Sequence, residues 1–117
     1  MGINDSLSLF MAAVRTGSAV GNSVDMQIGD GSSTTTLAVK SGNSSFHYIK
    51  VELFNTDSLS VQDFTAETVS QGSDTYSNGS SAINTANKFY IAFRAASTNA
   101  GDVLNIRGTR VVLYRNP

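Results

Sequence analysis

A single histidine, His47, limits the acid–base chemistry open to this chain near neutral pH. A Ser-His-Asp arrangement needs a nucleophile beside that base and an acid beyond it, and no G-x-S-x-G elbow accompanies His47. His47 lies at the mouth of the apolar side of Phe46–Phe54, which favours a packed or rim histidine over a general base. One histidine and no cysteine leave zinc without its usual ligands. Asp25, Asp30, Asp57, Asp63 and Asp74 fall at strand ends or in turns, where calcium could be held. None has EF-hand spacing, and turn-forming aspartate is the commoner use of such positions. Glu52 and Glu67 are the only glutamates. Glycoside hydrolysis would need both in one cleft, whereas Glu52, two residues from Lys50 on the same strand face, reads as half of a charge pair. No catalytic, metal-ligating or cofactor-binding residue is assigned, no cofactor is expected, and the chain reads as a non-enzyme.

Binding chemistry is better represented. Gly29-Asp30-Gly31 hints at a phosphate cradle, but no Walker lysine or following helix supports it, and a hairpin turn explains it. Arg107, Arg110, Arg115 and Tyr114 form one basic–aromatic group, and Lys88, Tyr90 and Arg94 a second. The net charge of −1 and the lack of an RNP-like run argue against nucleic acid as the partner. Arginine at a protein contact is the favoured use. Tyr48, Tyr76, Tyr90 and Tyr114, among abundant Asn and Ser, would suit sugar stacking, although there is no tryptophan.

The elements that must position these groups are strands. Phe46–Phe54 alternates, with His47, Ile49, Val51 and Leu53 on one side and an aromatic-ended Lys–Glu face on the other. Residues 23–30 alternate with Val24, Met26 and Ile28 inward, and Asp30-Gly31 marks a hairpin to a return strand at 34–40 with Leu37 and Val39 inward. With 45–55, these runs read as an antiparallel meander. A short strand is expected over 59–65, with Leu59, Val61 and Phe64 inward. A polar loop pinned by Tyr76 and Ile83 is expected over 67–87. A strand over 88–95 turns Phe89, Ile91, Phe93 and Ala95 to the core. A last strand over 103–114 is interrupted at Gly108. In residues 1–22, Leu7, Phe10, Met11 and Val14 fall at helical spacing, while Ser6–Phe10 also alternates. The favoured reading is a short helix or arm, followed by a small-residue connector from Thr16 to Asn22.

The fold class is therefore all-β, an antiparallel sandwich or jelly-roll-like barrel of about seven to eight strands. Residues 1–22 are the arm and connector, and 23–117 the β domain. Charged residues make up only 15% of the chain, below the usual quarter or so. Such a surface has little field to steer nucleic acid or a membrane and little repulsion against self-association. No stretch has the roughly 20 apolar residues of a membrane helix, and the start lacks signal-peptide character. Synthesis in the cytoplasm without export is the expectation.

In composition and strand layout, as a cysteine-free, Ser/Thr/Gly/Asn-rich β-domain with an N-terminal arm, the chain resembles the capsid cement or decoration proteins of tailed phages. The resemblance implies a non-enzymatic virion structural protein, made in the host cytoplasm and localised to the virion. It would be a homo-oligomer, trimer favoured, that binds and stabilises a shell of major capsid protein or another virion protein, without nucleic acid or membrane as partner. On that reading Leu7, Phe10, Met11 and Val14 insert into a neighbour. Tyr76 in the 67–87 loop, with Arg107, Arg110, Tyr114 and Arg115, supplies rim contacts. A carbohydrate-binding β-sandwich module and a phage tail or fibre component are the alternatives.

Overall fold

The computed structural model describes residues 1–17, 22–42, 45–70, 73–97 and 101–116. Among these there are eight strands and no helix. They are β1 (Ser6–Thr16), β2 (Asn22–Gly29), β3 (Thr34–Gly42) and β4 (Phe46–Asn55), then β5 (Gln62–Ser70), β6 (Ser73–Ser81), β7 (Tyr90–Ser97) and β8 (Val103–Tyr114). They form two antiparallel sheets, ordered β6-β5-β4-β1-β8 and β3-β2-β7. The sheets pack face to face as a β-sandwich with open edges, the first of the two layouts that the alternation allows.

The N-terminal segment departs most from expectation. Residues 6–16 are neither arm nor helix. They form β1, paired on one side with β4 and on the other with β8. Leu7, Leu9, Met11 and Ala13 point into the core with at most 3% exposure, while Ser6, Ser8, Phe10 and Ala12 point outward. Period two has won over period 3.6 because β1 lies inside a sheet with apolar groups on both faces. The helical stripe came from reading Phe10 and Val14 together with Leu7 and Met11, which lie on the opposite face. The division at residue 22 falls away with it: β1 belongs to the sandwich. The connector is described only at its ends, since residues 18–21 lie outside the described set.

β4 alternates as read, with His47, Ile49, Val51 and Leu53 fully buried. Val24, Met26 and Ile28 of β2 meet them from the facing sheet, and Leu9, Met11 and Ile83 complete the centre of the core. Each such side chain is worth about 1.5–3 kcal/mol of burial. β2 and β3 form the expected hairpin, with Gly31 at φ 91° in its turn and Asp30 accepting the Ser32 and Ser33 amides at 2.9 Å. A bulge shifts the register so that Met26 faces Ala38 and Gln27 faces Thr36. It turns Ala38 inward beside Leu37 and leaves Val39, expected inward, exposed. The meander ends there, because β4 belongs to the other sheet.

The region 67–87, read as a loop, is mostly strand. β5 runs to Ser70 and pairs with β6 throughout, from Gln62 opposite Ser81 to Ser70 opposite Ser73. Its inward residues are Gln62, Phe64, Ala66, Thr68 and Ser70, so Val61 is exposed and Leu59 only half-buried, instead of both lining the core. The Ser/Asn/Gly composition of β6 reads as turn chemistry, yet a strand with one side free to water tolerates it. Gly79 serves a definite purpose: a Cβ there would lie 2.6 Å from Phe64 Cζ, so its absence lets the Phe64 ring cross under β6.

Residues 82–89 return to the second sheet, held by a buried polar network. Gln62 Nε2 donates to Asn55 Oδ1 at 3.0 Å and to the Ile83 carbonyl at 2.8 Å. Its Oε1 accepts the Ser81 hydroxyl at 2.6 Å and the Ile83 amide at 3.0 Å. Asn55 Nδ2 donates to Thr85 Oγ1 at 2.9 Å, and Thr85 Oγ1 to the Leu59 carbonyl at 2.7 Å. Ile83 thus pins this stretch as expected, whereas Tyr76 is 72% exposed and reaches only Glu67 on the sheet surface. Phe89, Ile91, Phe93 and Ala95 pack half-buried against the core. β8 is one strand with a bulge: Ala12 faces Gly108 and Ala13 faces Ile106, so Arg107 is the extra residue.

Candidate functional site: the outward face of the five-stranded sheet

The groups able to do chemistry are dispersed. His47 Nδ1 lies 2.6 Å from Ser70 Oγ, a base beside a hydroxyl, but both residues are buried, and His47 Nε2 has no hydrogen-bond partner among the described residues. Burial, with Lys40 and Arg15 nearby, holds the imidazole below its ordinary value. Four of the five candidate aspartates are separately occupied. Asp25 takes Arg94 in a two-pronged ion pair at 2.8 and 2.6 Å across β2 and β7. Asp30 also accepts the Asn84 amide at 3.0 Å. Asp57 exchanges two 2.9 Å hydrogen bonds with Asn4. Asp63 accepts the Thr56 hydroxyl at 3.1 Å. No group of three or more potential metal ligands occurs among the described residues. Glu52 and Glu67 do line one open depression of about 500 Å³, with Lys50, Thr65, Tyr76 and Asn78. Glu52 accepts from Ser8 Oγ at 2.8 Å, and Glu67 from the Tyr76 hydroxyl at 3.4 Å.

That depression belongs to a larger surface. Strand pairing sets residues in rows across the sheet, and alternate rows face outward. One outward row runs Tyr76, Glu67, Lys50, Phe10, Arg110; the row beside it runs Asp74, Val69, Tyr48, Ala12, Gly108. At the other end, Ser80, Asp63, Phe54, Ser6 and Tyr114 form a third. The Phe10 and Tyr48 rings meet at 5.6 Å between centroids, and the Arg110 guanidinium lies 5.7 Å from the Phe10 centroid. Phe46, Phe54 and Val14 are each between 37% and 40% exposed at the borders. Desolvation, then the Glu67 charge, raises the Tyr48 phenol; for Tyr76 the Glu67 charge comes first. Both hydroxyls remain neutral donors beside that carboxylate.

The expected contact residues therefore divide. Leu7 and Met11 are in the core and unavailable. Phe10, Val14, Tyr76, Arg110 and Tyr114 share the outward face. Arg107 is exposed at the bulge, and Arg115, beyond β8, lies 3.8 Å from buried Asp5. Tyr90 is on the other sheet, where its hydroxyl lies 3.1 Å from Thr34 Oγ1. Phe46 and Phe54 were missed as contact residues, and Tyr48 was read only as a sugar-stacking candidate. Their signal was present in the aromatic ends of β4's second face, but it gains meaning only when β1 is its neighbour.

Comparison with protein-family models, curated proteins and solved structures finds no match. The fold and the outward face define an antiparallel β-sandwich with an aromatic, mixed-charge sheet surface.

Proposed function

We propose that this chain is a non-enzymatic virion structural protein that lays the outward face of its five-stranded sheet on a shell of major capsid protein and stabilises it. One observation carries the contact: Phe10, Tyr48, Phe46, Phe54 and Val14 occupy the side of the sheet turned away from the core. A sheet face left to water normally carries Ser, Thr and charges. This one has aromatic groups on either side of a Lys50–Glu52 centre, with Arg110 against Phe10, and aromatic residues and arginine are enriched at partner-binding surfaces. The virion setting rests on the resemblance in composition and strand layout. Many modest contacts on one lattice would add through effective concentration.

The test is mass spectrometry of purified particles from a culture producing the protein, followed by rebinding of the purified chain to stripped shells. Presence in the particle, with rebinding lost in Phe10→Glu, supports the proposal. Absence from particles sinks the virion role.

A second reading has its own observation. Tyr48, Tyr76 and Tyr114, three of the four tyrosines, share this face, and the open depression beside Tyr76 holds Asn78, Thr65 and two carboxylates. A carbohydrate-binding module would use them so, and binding on a glycan array abolished by Tyr76→Ala would replace the shell as partner.

A further inference from the structure

The five-stranded sheet ends in two edges of opposite charge. From Gln62 to Ser81, through β5 and β6, the chain carries Asp63, Glu67 and Asp74 and no Lys or Arg. From Val103 to Asn116, through β8, it carries Arg107, Arg110 and Arg115 and no Asp or Glu. Among the described residues, each edge strand pairs with one neighbour only and leaves its other row of backbone groups outside the sheet's ladders, the usual template for adding a strand. Neither carries proline.

We infer that a second copy of this chain adds its β6 edge to the β8 edge, extending the sheet head to tail from copy to copy. The rows across the sheet supply the register. β6 and β8 run in the same direction, since four antiparallel pairings separate them. Continuing the rows sets Arg110 beside Tyr76 of the next copy, with Glu67 one strand further. It sets the Arg107 bulge beside Asp74 of that copy. On the inward side Leu113, 40% exposed, meets Gly79 of the next copy, beneath which the Phe64 ring lies. Two-fold alternatives lack this match: β8 against β8 brings Arg107 and Arg110 of two copies onto one seam, and β6 against β6 brings two Asp74 edges together. Parallel pairing is slightly weaker per residue than antiparallel pairing, so the charge match and the Leu113 contact are what select it. A head-to-tail contact closes into a ring, a trimer among them, or grows as a filament.

This goes beyond the proposed shell contact and concerns the homo-oligomer that the resemblance implies. It is tested on the purified chain alone, so failure to bind a shell leaves it standing. Light scattering after gel filtration, across a concentration series at low and high salt, reads the mass against the 12.3 kDa chain. We expect a multiple of that mass, falling toward the single chain on Arg107→Glu or Asp74→Lys and restored when the two reversals are combined. Both residues are exposed, and circular dichroism confirms that each variant folds. The neutral pair Arg107→Gln and Asp74→Asn should weaken association less than the reversals. A single-chain mass at every concentration, a strict two-fold dimer, or association indifferent to both reversals would overturn the inference.

Discussion

Phe10 of β1 and Tyr48 of β4 pack ring against ring on the outward side of the five-stranded sheet, 5.6 Å between centroids and 40° between planes, with the Arg110 guanidinium 5.7 Å from Phe10. They stand in adjacent rows, Phe10 opposite Lys50 and Tyr48 opposite Ala12, so the contact is diagonal. Such a pair contributes about 0.5–1.5 kcal/mol beyond its area. Tyr48→Ala should therefore lower stability by about that much, plus lost burial. Phe10→Glu should leave the fold cooperative while abolishing partner binding. Denaturant unfolding and a binding assay on the same samples separate the two effects.

Removing residues 1–16 should abolish folding, because β1 is the interior strand between β4 and β8. Met11→Ala alone should cost about 2–5 kcal/mol, as for large-to-small changes in a sealed core, whereas Val14→Ser, at the exposed border, should cost well under that. A truncated chain that keeps a cooperative melt and loses only assembly would restore the arm.

Stability should fall as pH drops below about 6.5, the ordinary histidine value. Burial depresses His47 in the folded state, so below that pH the unfolded chain binds the extra proton and the folded chain does not. The loss runs from there down to the depressed folded value and then levels. Asp5 and Asp30 act in a lower window. Backbone amides lower both, so their contribution is present above the ordinary carboxylate value of 3.8 and fades as pH falls through the lowered ones. His47 is the only histidine, so melts between pH 7 and 5 isolate it. His47→Gln should remove the slope.

Gly79→Ala should destabilise by about 1–3 kcal/mol, the usual cost of overpacking, because the new Cβ would meet Phe64 Cζ at 2.6 Å. Pairing it with Phe64→Leu, which withdraws the ring, should recover part of the loss. An additive double-mutant cycle would show that the ring does not lie where the structure places it.

Strands whose core-facing side chains recur at every second residue were legible in the sequence: β2, β4 and β7 follow alternation alone. β1 was not, because its outward side carries Phe10, Ala12 and Val14, and apolar residues on both faces erase period two. β6 was hidden for the opposite reason. Ser, Thr, Asn and Gly fill it, and an edge strand is held by its neighbour's backbone more than by its own side chains. Leu37 and Arg107 are the extra residues of bulges, which shift register by one residue without a composition signature, and the first of them leaves Val39 facing outward. The candidate face suffered from all three effects. Its aromatic residues come from β1 and β4, its acids from β4, β5 and β6, and its outlying tyrosines from β6 and β8, and only pairing brings them together.

The most direct test of the outward face as a docking surface is hydrogen–deuterium exchange of the chain alone and bound to purified shells. Bound protein should gain protection at backbone amides of β4 and β1 around Lys50 and Phe10, with the three-stranded sheet of Asp25 and Arg94 unchanged. Protection confined to that second sheet, or no change on either, would contradict the account.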